Sequence, residues 1–253
     1  MKKMFKFGWL VLIVGLVALA IGYFNHGAQN VTFENGRPVV QRQASWNLTS
    51  KHFKRVDLDV DSANVTIKHG NKFKVSYRGL DRNKPTVTVK NKTLRVRQSG
   101  TRSYNGSVFS VNGISDHLTI TLPYDAQIKG GRIALNSGEL AVNGVDLTHV
   151  KLTNESGDVD LSDLTLNGGQ TNLSSGEFDA HSLTITGHYA VQNDSGDNEA
   201  HAISADGYRL KSDSGDNEVN GQDKDDQSVV EENMNAANTL ELITTSGDNE
   251  YTD

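Results

Sequence analysis

Six Ser-Gly pairs stand at 137–138, 156–157, 175–176, 195–196, 214–215 and 246–247, at spacings of 19, 19, 20, 19 and 32 residues. A fixed period near 20 confines a chain to a stacked-repeat architecture, in which each repeat is one supersecondary unit. The residues around each pair keep a common register. Four before the Ser stand Ile133, Leu152, Thr171, Val191, Leu210 and Leu242. Three after it come Leu140, Val159, Phe178, Asn198, Asn217 and Asn249, and five after it Val142, Leu161, Ala180, Ala200, Val219 and Tyr251. Val145/Leu147, Leu164/Leu166, Leu183/Ile185 and Ile203 continue the pattern. Apolar residues two apart on both sides of a turn predict two short strands per repeat, with every second side chain inward. Glycine suits the left-handed turn, and the Ser hydroxyl can bond neighbouring backbone. Rungs stacked in parallel about 4.8 Å apart turn each inward position into a ladder of like residues. The expected fold is therefore all-β: a parallel, β-helix-like solenoid of rungs of about 19 residues, each repeat adding the next layer. The last spacing exceeds the period by 13 residues, and the acidic stretch 222–235 is expected to absorb the excess as a loop.

Composition fits a thin core. Only 36% of the 253 residues are apolar, and the first 24 hold much of that share. A helical bundle and a thick α/β core are excluded on that ground. The absence of Cys excludes disulfides, thiolate metal sites, a Cys nucleophile and a lipid-modified N-terminal Cys. Residues 51–129 also read as β, but less regularly. Val56–Asp61 and Asn64–Lys68 alternate around Ser62-Ala63, and Leu118–Leu122 ends at Pro123. Asn35-Gly36 and Asn105-Gly106 read as hairpin turns.

Residues 7–24 contain no charged side chain and follow Lys2, Lys3 and Lys6. Eighteen residues at about 1.5 Å each just span a hydrocarbon core. Basic residues before the run keep the amino end cytoplasmic. The reading is a single-pass anchor in the cell membrane, with the rest of the chain extracytoplasmic. The alternative is a cleaved signal peptide, since Ala18-Leu19-Ala20 has the form of a cleavage site. The resulting plan is a cytoplasmic tail 1–6, a transmembrane helix 7–24, a linker with a first β-hairpin 25–50, an irregular basic β region 51–129, and regular acidic repeats 130–253.

The net charge of −6 hides an asymmetry: residues 30–129 carry +10 and residues 130–253 carry −19. Two surfaces with different partners are expected. The basic part suits anionic lipid or cell-wall polymer, and the acidic part suits cationic peptides, other cations or an envelope protein. Nucleic acid is not expected against so acidic a surface.

The segment Leu118-Thr-Ile-Thr-Leu-Pro123, followed by serial Ser-Gly-acid turns, resembles the bacterial putative-adhesin family of β-strand-repeat proteins, a family of unknown function. The resemblance covers about residues 51–253. It implies an extracytoplasmic β-solenoid on a membrane anchor, often in proteins tied to envelope-stress responses, and it supplies no catalytic residues. This chain departs from the simpler pattern where Asn198, Asn217 and Asn249 replace an apolar residue.

The residue after every Ser-Gly is acidic: Glu139, Asp158, Glu177, Asp197, Asp216 and Asp248. These six form the candidate ligand or peptide face. Calcium is the metal to consider, with Asp194, Asp197, Asp213, Asp216 and Asp248 as candidate ligands, because it takes six to eight oxygens in irregular cages. The competing reading is that exposed carboxylates accept bonds from turn amides. Asn198, Asn217 and Asn249 are expected to form a buried amide ladder, and His181 and His201, both six after a turn Ser, are expected to stack. Such a pair can bind a transition metal, but two ligands are too few for a site, and plain exposed histidines are the competing reading. No nucleophile elbow, phosphate loop or zinc-binding His-Glu-x-x-His occurs. The chain is expected not to be an enzyme and to need no cofactor. The expected function is that of a cell-envelope interaction or adhesion module. The alternatives are a carbohydrate-active solenoid enzyme and a calcium-binding surface repeat protein.

Overall fold

The computed structural model describes residues 2–24, 30–34, 37–41, 43–99, 107–109, 115–224 and 227–253. They fall into two units. The smaller holds a helix, Lys2–Phe24, and a three-stranded antiparallel sheet of Arg37–Gln41, Asn30–Glu34 and Ser107–Phe109. Glu34 pairs with Arg37, as a tight hairpin requires, but Asn35-Gly36 and Asn105-Gly106 lie outside the described residues. Leu12, Leu16 and Leu19 on the helix are exposed. Among the described residues no helix is long and apolar enough to cross a membrane. The side chains of Leu10 and Tyr23, inside the apolar run, lie outside the description.

The larger unit is built from the expected rungs. Each Ser-Gly turn joins a strand of one sheet to a strand of a second, so every repeat contributes once to each. The strands after the turns include Leu140–Asn143, Val159–Ser162, Phe178–His181 and Asn198–His201, and they pair in parallel within an eleven-stranded sheet, here the first sheet. The strands before the turns, Gly131–Leu135, Leu147–Asn154, Thr165–Leu173 and Thr184–Ser195, pair in parallel within a ten-stranded second sheet. Alternation holds throughout, and the positions expected to point inward are buried in every repeat. Leu58, Ile67, Leu152, Leu161 and Val191 are wholly enclosed between the sheets. Burying a side chain of that size contributes about 1.5–3 kcal/mol, which lets many thin layers replace one thick core.

The rungs are not stacked in sequence order. The last repeat, Thr239–Ser246 with Asn249–Tyr251, lies between Thr184–His201 and the fifth repeat, Gly207–Ser212 with Asn217–Val219. The acidic stretch expected as a loop instead caps the stack. Val229–Glu232 pairs antiparallel to Gly207–Ser212, and Gln222–Asp223 pairs antiparallel to Asn217–Val219. This cap leaves room for one rung, which the carboxyl-terminal repeat fills. The other end follows the same plan. Arg55–Val60 and Asn64–His69 stack directly beneath the repeats. Thr93–Arg97 and His117–Leu122 form the next rung, closed by the antiparallel strands Thr86–Lys90 and Lys74–Leu80. Antiparallel caps end a stack whose open edges would otherwise pair with other chains.

The Ser-Gly glycines form a column of their own. Gly196 has φ 133°, in the left-handed half of the map, and a Cβ there would overlap the carbonyl oxygen of Gly176 in the rung below. The same clash runs from Gly247 to Gly196 and from Gly215 to Gly247, in the spatial order of the rungs. Both the turn conformation and the stacking distance thus exclude a side chain.

Candidate functional site

The residue after each Ser-Gly turn stands immediately before a strand of the first sheet, and continuing the strand's alternation its side chain and the one two residues on share the outer face. Two acidic columns follow. The turn column holds Glu139, Asp158, Glu177, Asp197, Asp248 and Asp216 in spatial order, all exposed. The second column holds Asp160, Asp179, Glu199, Glu250 and Glu218, which are partners across neighbouring strands. Among the described residues, no Lys or Arg reaches ion-pair distance of any of these groups.

The turn column also has a structural task. Asp158 accepts the Glu177 backbone N–H at 3.0 Å, Asp197 accepts that of Asp248 at 2.8 Å, and Asp248 accepts that of Asp216 at 2.8 Å. Each carboxylate ties its rung to the next one. Its charge, however, meets no Lys or Arg among the described residues. Burial, then Asp179 and Glu139, pushes the Asp160 carboxyl above its ordinary range. Burial, then Glu199, Asp158, Asp179 and Asp197, does the same to Glu177.

The outer face of the second sheet is arranged differently. Asp57 takes Arg97 at 2.6 Å and Arg95 at 3.0 Å, with Arg132 at 3.8 Å. The bond from Arg97 holds the Asp57 carboxyl below its ordinary range against the opposing effect of burial. Arg209 bridges Glu231 and Glu241, each at 2.8 Å. Cations answer acids on this face and not on the other.

The calcium candidates are divided. Asp197, Asp216 and Asp248 line one cleft of about 200 Å³ with Glu199, Glu218 and Glu250. Asp194 lines a separate groove of about 460 Å³ with Asp59, Arg132 and Glu155. Asp213 is paired with Lys211 at 3.0 Å.

The amide ladder is present in spatial order. Asn198 Nδ2 donates to Asn249 Oδ1 and Asn249 Nδ2 to Asn217 Oδ1, both at 2.8 Å and both buried. Asn217 closes the ladder on the Gln227 carbonyl. The rings of His181 and His201 lie 5.2 Å apart. The sequence reading passed over His201 as a partner of acids. Its Nε2 lies 3.6 Å from Glu199 Oε2 and its Nδ1 3.7 Å from Glu250 Oε1. Glu199 was legible two residues from His201, whereas Glu250 depends on the rung order.

The fold and this face define a two-sheeted parallel β-solenoid with one charge-balanced and one acidic side. The chain belongs to the Toastrack DUF4097 family, whose profile matches residues 53–130 and 124–250. The expected membership in a domain-of-unknown-function family of putative adhesins holds. No curated protein matches the chain. Similar solved structures include a "putative cell adhesion protein" from Clostridium sporogenes ATCC 15579, 13% identical, covering 84% of this chain and 99% of that one, with a TM-score of 0.47. Another is a "putative adhesin" from Bacteroides fragilis NCTC 9343, 12% identical, covering 84% and 97%, with a TM-score of 0.37. Likeness at this level carries no argument about activity.

Proposed function

We propose that this chain is a membrane-anchored interaction module of the cell envelope, without catalysis of its own, whose acidic face holds polycationic ligands, cationic peptides foremost. The apolar run 7–24 behind Lys2, Lys3 and Lys6 supports the anchor and an extracytoplasmic solenoid. The double column of carboxylates, with no Lys or Arg partner among the described residues, carries the ligand reading. Rows of like charge focus a field that attracts multivalent cations and steers their association. At the opposite end of the same face Lys68, Lys74 and Arg78 are exposed, which suits contact with an anionic wall polymer or lipid surface. A role in the envelope-stress response follows from a module that registers cationic peptides.

The test titrates the full chain, in detergent micelles, with a lysine- and arginine-rich peptide and with a control whose basic residues are replaced by glutamine. Binding of the basic peptide alone, weakening as sodium chloride rises, is expected. The triple variant Asp197→Asn, Asp216→Asn, Asp248→Asn should weaken it about tenfold, or 1.4 kcal/mol. Its fold should survive, because an amide oxygen still accepts the turn N–H. Equal affinity of wild type and triple variant would refute the reading. A melting-temperature rise at millimolar calcium that sodium does not reproduce, lost in the triple variant, would favour the calcium alternative.

A further inference from the structure

One cluster on the acidic face differs from the rest because it contains imidazole. His201 sits between Glu199 on its own strand and Glu250 on the neighbouring strand, at 3.6 and 3.7 Å. One ligand atom from each of the three lies within 4.8 Å of the other two. His181 stands one rung away, its ring centroid 5.2 Å from that of His201. Asp179, the strand partner of Glu199, keeps a buried Oδ1 without a hydrogen-bond partner. The cluster is reachable: the side chains of His201, Glu199 and Glu250 are 25%, 40% and 36% exposed.

We propose that Glu199, His201 and Glu250, with His181 at hand as a fourth donor, form a Zn²⁺ site. Tetrahedral zinc with ligands at 2.0–2.2 Å holds its donor atoms about 3.4 Å apart. The two glutamates approach different ring nitrogens of His201, at 3.6 and 3.7 Å, and one donor atom from each residue lies within 4.8 Å of the other two. Gathering the three on one ion therefore takes a closure of up to about 1.4 Å per pair, within reach of side chains that rotate about their own bonds. Mixed imidazole and carboxylate donors suit zinc, whereas calcium and magnesium select all-oxygen cages. A divalent ion also relieves the repulsion between Glu199 and Glu250. The site shares Glu199 and Glu250 with the acidic face but does not rest on the peptide reading, because its donor set is defined by His201 and excludes Asp197, Asp216 and Asp248. It does rest on the rung order: stacking in sequence would bring Glu218, not Glu250, beside Glu199.

Calorimetric titration of the full chain with Zn²⁺ in micelles tests the proposal, with Ca²⁺ and Mg²⁺ at equal ionic strength as controls. One Zn²⁺ per chain is expected, with no comparable binding of the other two. His201→Ala and Glu250→Gln should each weaken binding at least about tenfold, as loss of metal-site groups does. The triple variant Asp197→Asn, Asp216→Asn, Asp248→Asn should leave Zn²⁺ affinity within about twofold, an outcome that separates this site from the peptide face. Ring resonances of His181 and His201 in the wild-type chain should shift at one equivalent of Zn²⁺, a readout that needs no variant to fold. Unshifted rings, unchanged binding by His201→Ala, or equal loss in the triple variant would each overturn the site.

Discussion

Replacing Gln192 and Ile243 with cysteine tests whether the last repeat sits inside the stack. The two are partners on adjacent parallel strands of the second sheet, on its outer face. Adjacent strands lie about 4.8 Å apart, inside the 4.4–6.8 Å Cα range of a disulfide. Gln192 and Lys211 are separated by the inserted strand Thr239–Ser246. They therefore stand about 9.6 Å apart, beyond the roughly 7 Å limit for bridging. Stacking in sequence order would reverse both distances. The chain has no Cys of its own, so the background is clean. Mild oxidation followed by non-reducing electrophoresis and thiol titration should show bridging in Gln192→Cys/Ile243→Cys and free thiols in Gln192→Cys/Lys211→Cys. The bridge closes a loop of about 50 residues, worth up to about 4 kcal/mol through the unfolded chain. The oxidised first variant should therefore also melt higher than its reduced form. Bridging of the 192/211 pair with none at 192/243 would refute the insertion.

Three further substitutions test the core and the face. Leu161→Asp puts an uncompensated charge into a wholly buried position and should cost several kcal/mol, read as loss of the melting transition at ordinary temperature. The neighbouring Asp160→Asn points outward and should not destabilise. The Asp160 carboxyl titrates above the ordinary 3.8, so its contribution to stability is fully present below that pH and is lost as pH rises through the raised value. Asp160→Asn should accordingly melt above wild type near neutral pH and level with it in acid; a lower melting point at both would contradict the assignment. Asn249→Ala removes two buried ladder bonds and leaves Asn217 Oδ1 without its donor. A loss of about 2–4 kcal/mol in chemical unfolding is expected, and an unchanged midpoint would remove the ladder from the account.

The inward register was legible because alternation leaves one face of each strand to bury: Ile133, Leu152, Val191, Leu210 and Leu242 all lie where the period places them. The amide ladder was legible for the same reason. The rung order was not. The turns at Ser195, Ser214 and Ser246 are all followed by Gly-Asp-Asn-Glu, so either order satisfies the same inward ladders. The order is set by the antiparallel cap, whose strand Val229–Glu232 carries no repeat signature. The basic end was opaque for a related reason. Gln98 accepts the backbone N–H groups of Ser62 and Ala63, both at 3.2 Å, and buried Asp116 accepts the backbone N–H of Leu80 at 3.0 Å and the side-chain Nδ2 of Asn83 at 2.6 Å. Partners so far apart in the chain leave no periodic mark.

What the turn carboxylates do for the fold is shown by a position where the fold manages without one. The N–H of Glu139 needs an acceptor from the rung beneath, and Asn64 Oδ1 supplies it at 3.3 Å. The neutral amide therefore performs the bond that Asp158, Asp197 and Asp248 perform elsewhere. The bond requires an oxygen at the turn and not a charge. Placing charges instead costs roughly 1 kcal/mol per neighbouring pair at about 4.8 Å in water, and more where the local dielectric falls. The second sheet relieves such costs with Arg95, Arg97 and Arg209. The first sheet leaves them standing over adjacent rungs. Charge that the turn geometry does not need, and that adds to burial in raising the proton affinity of Asp160 and Glu177, is charge that a cation from solution would neutralise. That surplus is the physical basis for reading the acidic face as a binding surface.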